Sequence, residues 1–131
     1  MKTEMNIFVL IAILLIHWIA DFVLQTDKQA KGKSKNWSDL LAHTITYSAC
    51  WIPFAFFRFG YTFPMGVPCF SFNFIMFPII TFIAHTITDY FTSRLNSRLL
   101  AKGDTHNFFV SVGFDQILHY VQLILTYQLF I

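Results

Sequence analysis

Four apolar stretches dominate this sequence, at about residues 6–26, 39–59, 70–92 and 107–131. Each approaches the roughly 20 residues that a helix rising about 1.5 Å per residue needs to cross a hydrocarbon core of about 30 Å. A chain built this way folds against lipid rather than water. Apolar residues make up 56% and charged residues 12% of the 131, where a soluble domain carries about 25% charge. Seventeen Phe, five Tyr and three Trp exceed what so small a body can hide. Spanning strands are excluded, because a lipid-exposed sheet must close into a barrel of about eight strands or more. The sequence predicts an all-α fold, an integral membrane bundle of four transmembrane helices forming a single domain over 1–131.

The lysines and arginines orient the bundle. Lys28, Lys31, Lys33 and Lys35 follow the first stretch, and Arg94, Arg98 and Lys102 are expected in the loop after the third. Only Lys2 and Arg58 fall on the other side. The basic side is placed in the cytoplasm of a bacterial inner membrane, with both termini outside. The first stretch is expected to remain in the mature chain, since it runs into His17, Trp18 and Asp21 without a small-residue cleavage site. Ser38 is the expected N-cap of the second helix, and Thr105 or Asn107 that of the fourth. Pro53 and Pro78 should kink their spans. The segment from Phe59 to Phe70 reads as an aromatic interfacial turn. Cys50 and Cys69 lack a disulfide spacing. A net charge of +2 is too small for a nucleic-acid binder; the lysine run reads as topology and attraction to lipid headgroups.

Within the spans stand residues that a bilayer should exclude: His17 and Asp21, His43, His85 and Asp89, Asp115 and His119. Three pairs are spaced i, i+4, which places each His and Asp on one helix face, about 6 Å apart along the axis. A mid-helix aspartate costs roughly 2.5 to 3.5 kcal/mol on insertion scales. All seven residues fall in the cytoplasmic halves of their helices, which points to one convergent site. Imidazole and carboxylate together suit a divalent metal: zinc first, with iron or manganese as alternatives, and one or two ions. The metal ligands are drawn from His17, Asp21, His43, His85, Asp89, Asp115 and His119, with some carboxylates orienting imidazoles instead. An open coordination position would generate hydroxide near neutral pH, with Asp21, Asp89 or Asp115 as general base. Gln25 and Gln116 would orient substrate or ligands. His106, beside Asp104 in the loop before the fourth helix, reads as solvated.

The quoted residues also resemble a family. His17-x-x-x-Asp21-Phe22-x-x-Gln25, the lysine-rich link to Leu41-x-His43, His85-x-x-x-Asp89 and Asp115-Gln116-x-x-His119 look like the small bacterial membrane proteins grouped as domain of unknown function 3307. The resemblance spans essentially the whole chain and implies a polytopic inner-membrane protein, without an activity to carry over. It is distantly similar to predicted membrane-bound metal-dependent hydrolases. No H-E-x-x-H is present, which disfavours that type of zinc protease. Five histidines are too few for the histidine boxes of membrane di-iron enzymes.

The reading is a metal-dependent hydrolase acting on an ester, amide or phosphoester of a lipid or membrane-delivered substrate. A metal-ion or proton transporter is the alternative, as is a structural or effector protein whose His/Asp cluster sets helix packing. The outer half looks dry apart from Thr46, Ser48, Ser71 and Asn73, which argues against a continuous pore. The lipid bilayer is the expected partner; self-association and a soluble partner are left open.

Overall fold

Helix start and stop signals account for most of the architecture. The computed structural model describes residues 5–59, 61–62, 68–69 and 71–130. Helix α1 spans Ile7–Trp18 and continues into a π turn over Ile19–Val23; α2 is Asp27–Gly32, α3 Trp37–Ala49 and α4 Trp51–Phe59. A two-residue antiparallel pairing of β1 (Tyr61–Thr62) with β2 (Pro68–Cys69) follows, then α5 (Phe72–Ala101) and α6 (Thr105–Leu129). Residues 60, 63–67 and 70 of the expected aromatic turn lie outside the described residues, as does Lys2.

Among the described residues, Trp37–Phe59, Phe72–Ala101 and Thr105–Leu129 are long and apolar enough to cross a membrane, whereas the apolar Ile7–Val23 is shorter. Their outward faces carry Ile45, Ile83, Ile87, Phe91, Val121 and Leu125, all exposed. Large apolar side chains outside and histidines inside are what a lipid solvent favours.

Several boundaries differ from the sequence reading, each for a local reason. The N-cap of α3 is Asn36, whose side chain accepts from the Asp39 N–H, and not Ser38. For α6 it is Asp104, bonded to the Asn107 N–H, and not Thr105 or Asn107. Helix α5 runs on to Ala101, so Arg94 and Arg98 lie on the helix rather than in a loop. It stops where Gly103 takes φ +72°, with the Gly103 N–H on Leu100 O and the Asp104 N–H on Leu99 O, a Schellman termination. The second span breaks at Cys50, because Pro53 offers no N–H to Ala49 and its ring crowds that carbonyl. Pro78 lies inside α5 without interrupting it. The lysine-rich link contains α2, started by a Thr26–Gln29 capping box.

Buried positions on α5 recur every fourth residue, Phe77, Thr81, His85, Asp89 and Ser93, giving one stripe that is apolar at one end and polar at the other. Phe77 joins Val9, Ile13, Trp51, Phe54, Phe59, Leu123 and Tyr127 in the apolar core. The polar cluster lies at the opposite end, toward α2 and the α5–α6 turn.

Candidate metal centre

All seven His and Asp residues singled out in the spans are buried. Asp21 sits in the π turn, where Leu24 N–H reaches Ile19 O at 2.9 Å; an extra residue in the turn swings side chains that an α-helix would space evenly, and such turns recur at functional sites. His43 comes from the second turn of α3. His85 and Asp89 come from α5, and Asp115 and His119 from α6.

Four of these converge as a cage. His43 Nε2 lies 3.0 Å from Asp21 Oδ1, 3.2 Å from His85 Nε2 and 3.3 Å from Asp89 Oδ2. His85 Nε2 lies 3.5 Å from Asp21 Oδ1 and 3.6 Å from Asp89 Oδ2. Tetrahedral zinc with ligands at about 2.0 to 2.1 Å has ligand-to-ligand edges of about 3.3 to 3.4 Å. Five edges of this N2O2 set, at 3.0 to 3.6 Å, bracket that tetrahedral edge, and the shortest of them also serve as direct hydrogen-bond distances. A second grouping, Asp21, Asp115 and His119, shares Asp21 with the first. In it His119 Nε2 lies 3.4 Å from Asp115 Oδ1 and also 3.3 Å from Asp89 Oδ1. These three atoms are buried and lack hydrogen-bond partners among the described residues.

His17 stands apart from both groupings. Gln116 Nε2 faces two carboxylates, Asp21 Oδ2 at 3.3 Å and Asp115 Oδ2 at 3.2 Å, which turns Oε1 toward His17 Nε2 at 2.8 Å. His17 Nε2 must then carry the proton, and its Nδ1 accepts from the Tyr47 hydroxyl at 2.7 Å. Both ring nitrogens are engaged, so His17 and Gln116 act as a brace beside the cage. Gln25 Nε2 donates to Asp21 O at 3.0 Å. His106 is exposed, as expected of a solvated residue, and Trp18 is 54% exposed, facing away from the cluster.

Two residues of the site were missed in the sequence. Tyr47, one turn after His43, stacks its ring on His85 with centroids 3.7 Å apart. Its signal was the same i, i+4 spacing that marks the His/Asp pairs. Lys33 was read with the other lysines as topology, but its Nζ donates to Asp89 Oδ2 at 2.8 Å. Burial pushes the Lys33 ammonium pKa down, and the Asp89 and Asp21 charges push it up by more, leaving it raised. With neutral imidazoles, the carboxylates of Asp21, Asp89 and Asp115 offset by Lys33 leave two negative charges in the interior. One divalent cation would neutralise that remainder.

A model of the family described as protein of unknown function (DUF3307) matches residues 9–131. The chain belongs to this family. No match is found among curated proteins or among solved structures. The cage residues of this DUF3307 chain, Asp21, His43, His85 and Asp89, all fall within the matched span.

Proposed function

We propose that the chain is a four-span protein of a bacterial inner membrane that holds one divalent metal, zinc first, in the cage of Asp21, His43, His85 and Asp89. In this reading Ile7–Val23 is the fourth span, the basic residues face the cytoplasm, and both termini lie outside. It hydrolyses an ester, amide or phosphoester in a lipid or membrane-delivered substrate. The observation that carries the reading is the set of donor separations from 3.0 to 3.6 Å among the four cage atoms.

Proton bookkeeping favours one ion over two. His85 Nδ1 and His119 Nδ1 lie 3.1 Å apart, a distance that one shared proton explains. If His85 Nε2 is a ligand, its Nδ1–H donates to His119 Nδ1. His119 then carries its proton on Nε2, toward Asp89 Oδ1 and Asp115 Oδ1, and cannot ligate. The opposite tautomers free His119 and remove His85. With neutral imidazoles the two groupings exclude each other.

Asp89 Oδ2 is the corner shared with Lys33, so it is the ligand that water or substrate would displace, leaving Asp21, His43 and His85 on the ion with a fourth position to open, as catalytic zinc requires. The ion would supply an activated water and polarise the scissile bond. Asp115, on the floor of a cavity that opens beside Lys33, would accept the proton. After chelation, reconstituted protein should lose hydrolysis of fluorogenic ester and phosphoester lipids, and zinc should restore it. Asp115→Asn should lower the rate about 100-fold or more. A rate indifferent to both treatments would overturn the reading.

One observation favours a second reading. His43 Nδ1 is buried without a partner among the described residues, and as a ligand His43 would carry an unpaired N–H there, at about 1 to 3 kcal/mol. Donation from His43 Nε2 to Asp21 instead gives a metal-free polar core or proton relay.

A further inference from the structure

A cavity of about 490 Å³ opens onto the cluster from the side of α2 and the α5–α6 turn. Its floor includes Asp21, Asp115 and Gln116, and Lys31, Lys33 and Lys35 stand around it. Lys33 is committed to Asp89. Lys31 and Lys35 are exposed and make no ion pair among the described residues. On the reading above, one divalent ion cancels the floor charge, so these two ammonium groups leave the mouth positive.

Neutral polar groups face the same space. Ser93, Asn96 and Ser97 occupy i, i+3 and i+4 on one face of α5 and line the cavity with Ser34. Ser93 Oγ, Asn96 Oδ1 and Gln25 Oε1 are buried without partners among the described residues. A hydroxyl can donate to an anionic oxygen, and the Asn96 amide can turn its NH2 toward one, whereas Gln25 keeps its NH2 on Asp21 O. The remaining wall is apolar: Phe22 beside Asp21, Leu100 at the end of α5, and Phe108, Phe109 and Val112 in the first turns of α6. Phe109 is 66% and Leu100 58% exposed, so this wall continues onto the outer surface rather than closing over.

We propose that this cavity binds an anionic, phosphate-bearing amphiphile, its phosphate between Lys31, Lys35 and the polar face of α5 and its chain along Phe22, Phe108 and Phe109. This deepens the proposed hydrolase by naming its substrate class, and it places the headgroup within reach of the metal cage. Lysines with serine and amide donors suit the several acceptor oxygens of phosphate, and an apolar wall open to the exterior suits a chain delivered from the bilayer.

The test is binding rather than turnover. Full-length protein in neutral detergent is exposed to phosphatidic acid, phosphatidylcholine or inorganic phosphate, and retained ligand is measured by native mass spectrometry, on zinc-loaded and chelated samples. Phosphatidic acid should be retained over phosphatidylcholine, at least tenfold more weakly by Lys31→Ala/Lys35→Ala and undiminished by Lys102→Ala. Equal retention of the two lipids, or equal loss in both variants, overturns the proposal. Phosphate binding without lipid retention overturns the amphiphile and leaves a soluble phosphate compound as the ligand. Lysine-dependent retention in both zinc-loaded and chelated samples supports the anion site even where metal content refutes the cage. Absence of retention refutes the anion site and leaves the cage untouched.

Discussion

Lys33 and the cage metal would neutralise the same carboxylates, and this competition separates the two readings of the cluster. Removing the ammonium from a buried pair typically costs about 3 to 5 kcal/mol. Lys33→Met should therefore destabilise the metal-free protein by about that much, and zinc should recover most of the loss and bind more tightly than to wild type. In a metal-free polar core the same variant would be destabilised with or without zinc. Thermal unfolding with and without zinc measures the difference. At this scale the sequence was informative about type and depth but not about partnership. His17 shares the His-x-x-x-Asp spacing with His85 and His119, yet Gln116 and Tyr47, from two other helices, occupy both its nitrogens. Lys33 has the same local pattern as Lys31 and Lys35. Only the fold of α2 onto α3 turns it inward.

That fold depends on close packing of two elements. A Cβ on Gly32 would lie 1.9 Å from Asp39 Oδ2 and 2.8 Å from Asp39 Cβ, so α2 must shift if Gly32 gains a side chain. Gly32→Ala should cost about 1 to 3 kcal/mol and draw Lys33 away from Asp89, which unfolding and zinc-affinity measurements would register together. The start of α6 carries a pH signature. The side-chain and backbone N–H groups of Asn107 hold the Asp104 carboxyl below its usual range. A depressed carboxyl contributes stability above its unfolded pKa, and the contribution is lost as pH falls through the folded one. The deficit of Asp104→Ala should be present at pH 7 and shrink below the usual carboxylate range; a deficit unchanged by pH would refute the cap. Helix existence was legible from apolar run length, but Asn36 and Asp104 outcompeted neighbouring capping residues that the sequence could not rank. The break at Cys50 was legible in part, because Pro53 marks it. The π turn at Asp21 has no sequence signal.

Among the described residues, large apolar side chains line the outer faces and the buried histidines and aspartates collect at one end, so topology and chemistry are linked. If the basic end is cytoplasmic, cysteines introduced at Lys28 and at His106, with Cys50 and Cys69 replaced, should both be blocked only by a membrane-permeant thiol reagent in intact cells. Labelling of either by an impermeant reagent would invert the orientation. The convergence of four helices on one cluster was expected from the shared depth of seven polar residues. The division of that cluster into a four-atom grouping, a His17–Gln116 brace and a His119 paired through Nδ1 with His85 was not, because it depends on tautomers and rotations that spacing does not encode.

The central claim is one divalent ion held by Asp21, His43, His85 and Asp89. Elemental analysis of untagged protein, purified in detergent without chelator, measures it directly as metal per chain. The account predicts one equivalent in wild type, retained by His106→Ala and lost in His85→Ala and Asp21→Asn variants that remain folded. No metal in wild type, two equivalents per chain, or equal content in all variants would contradict it.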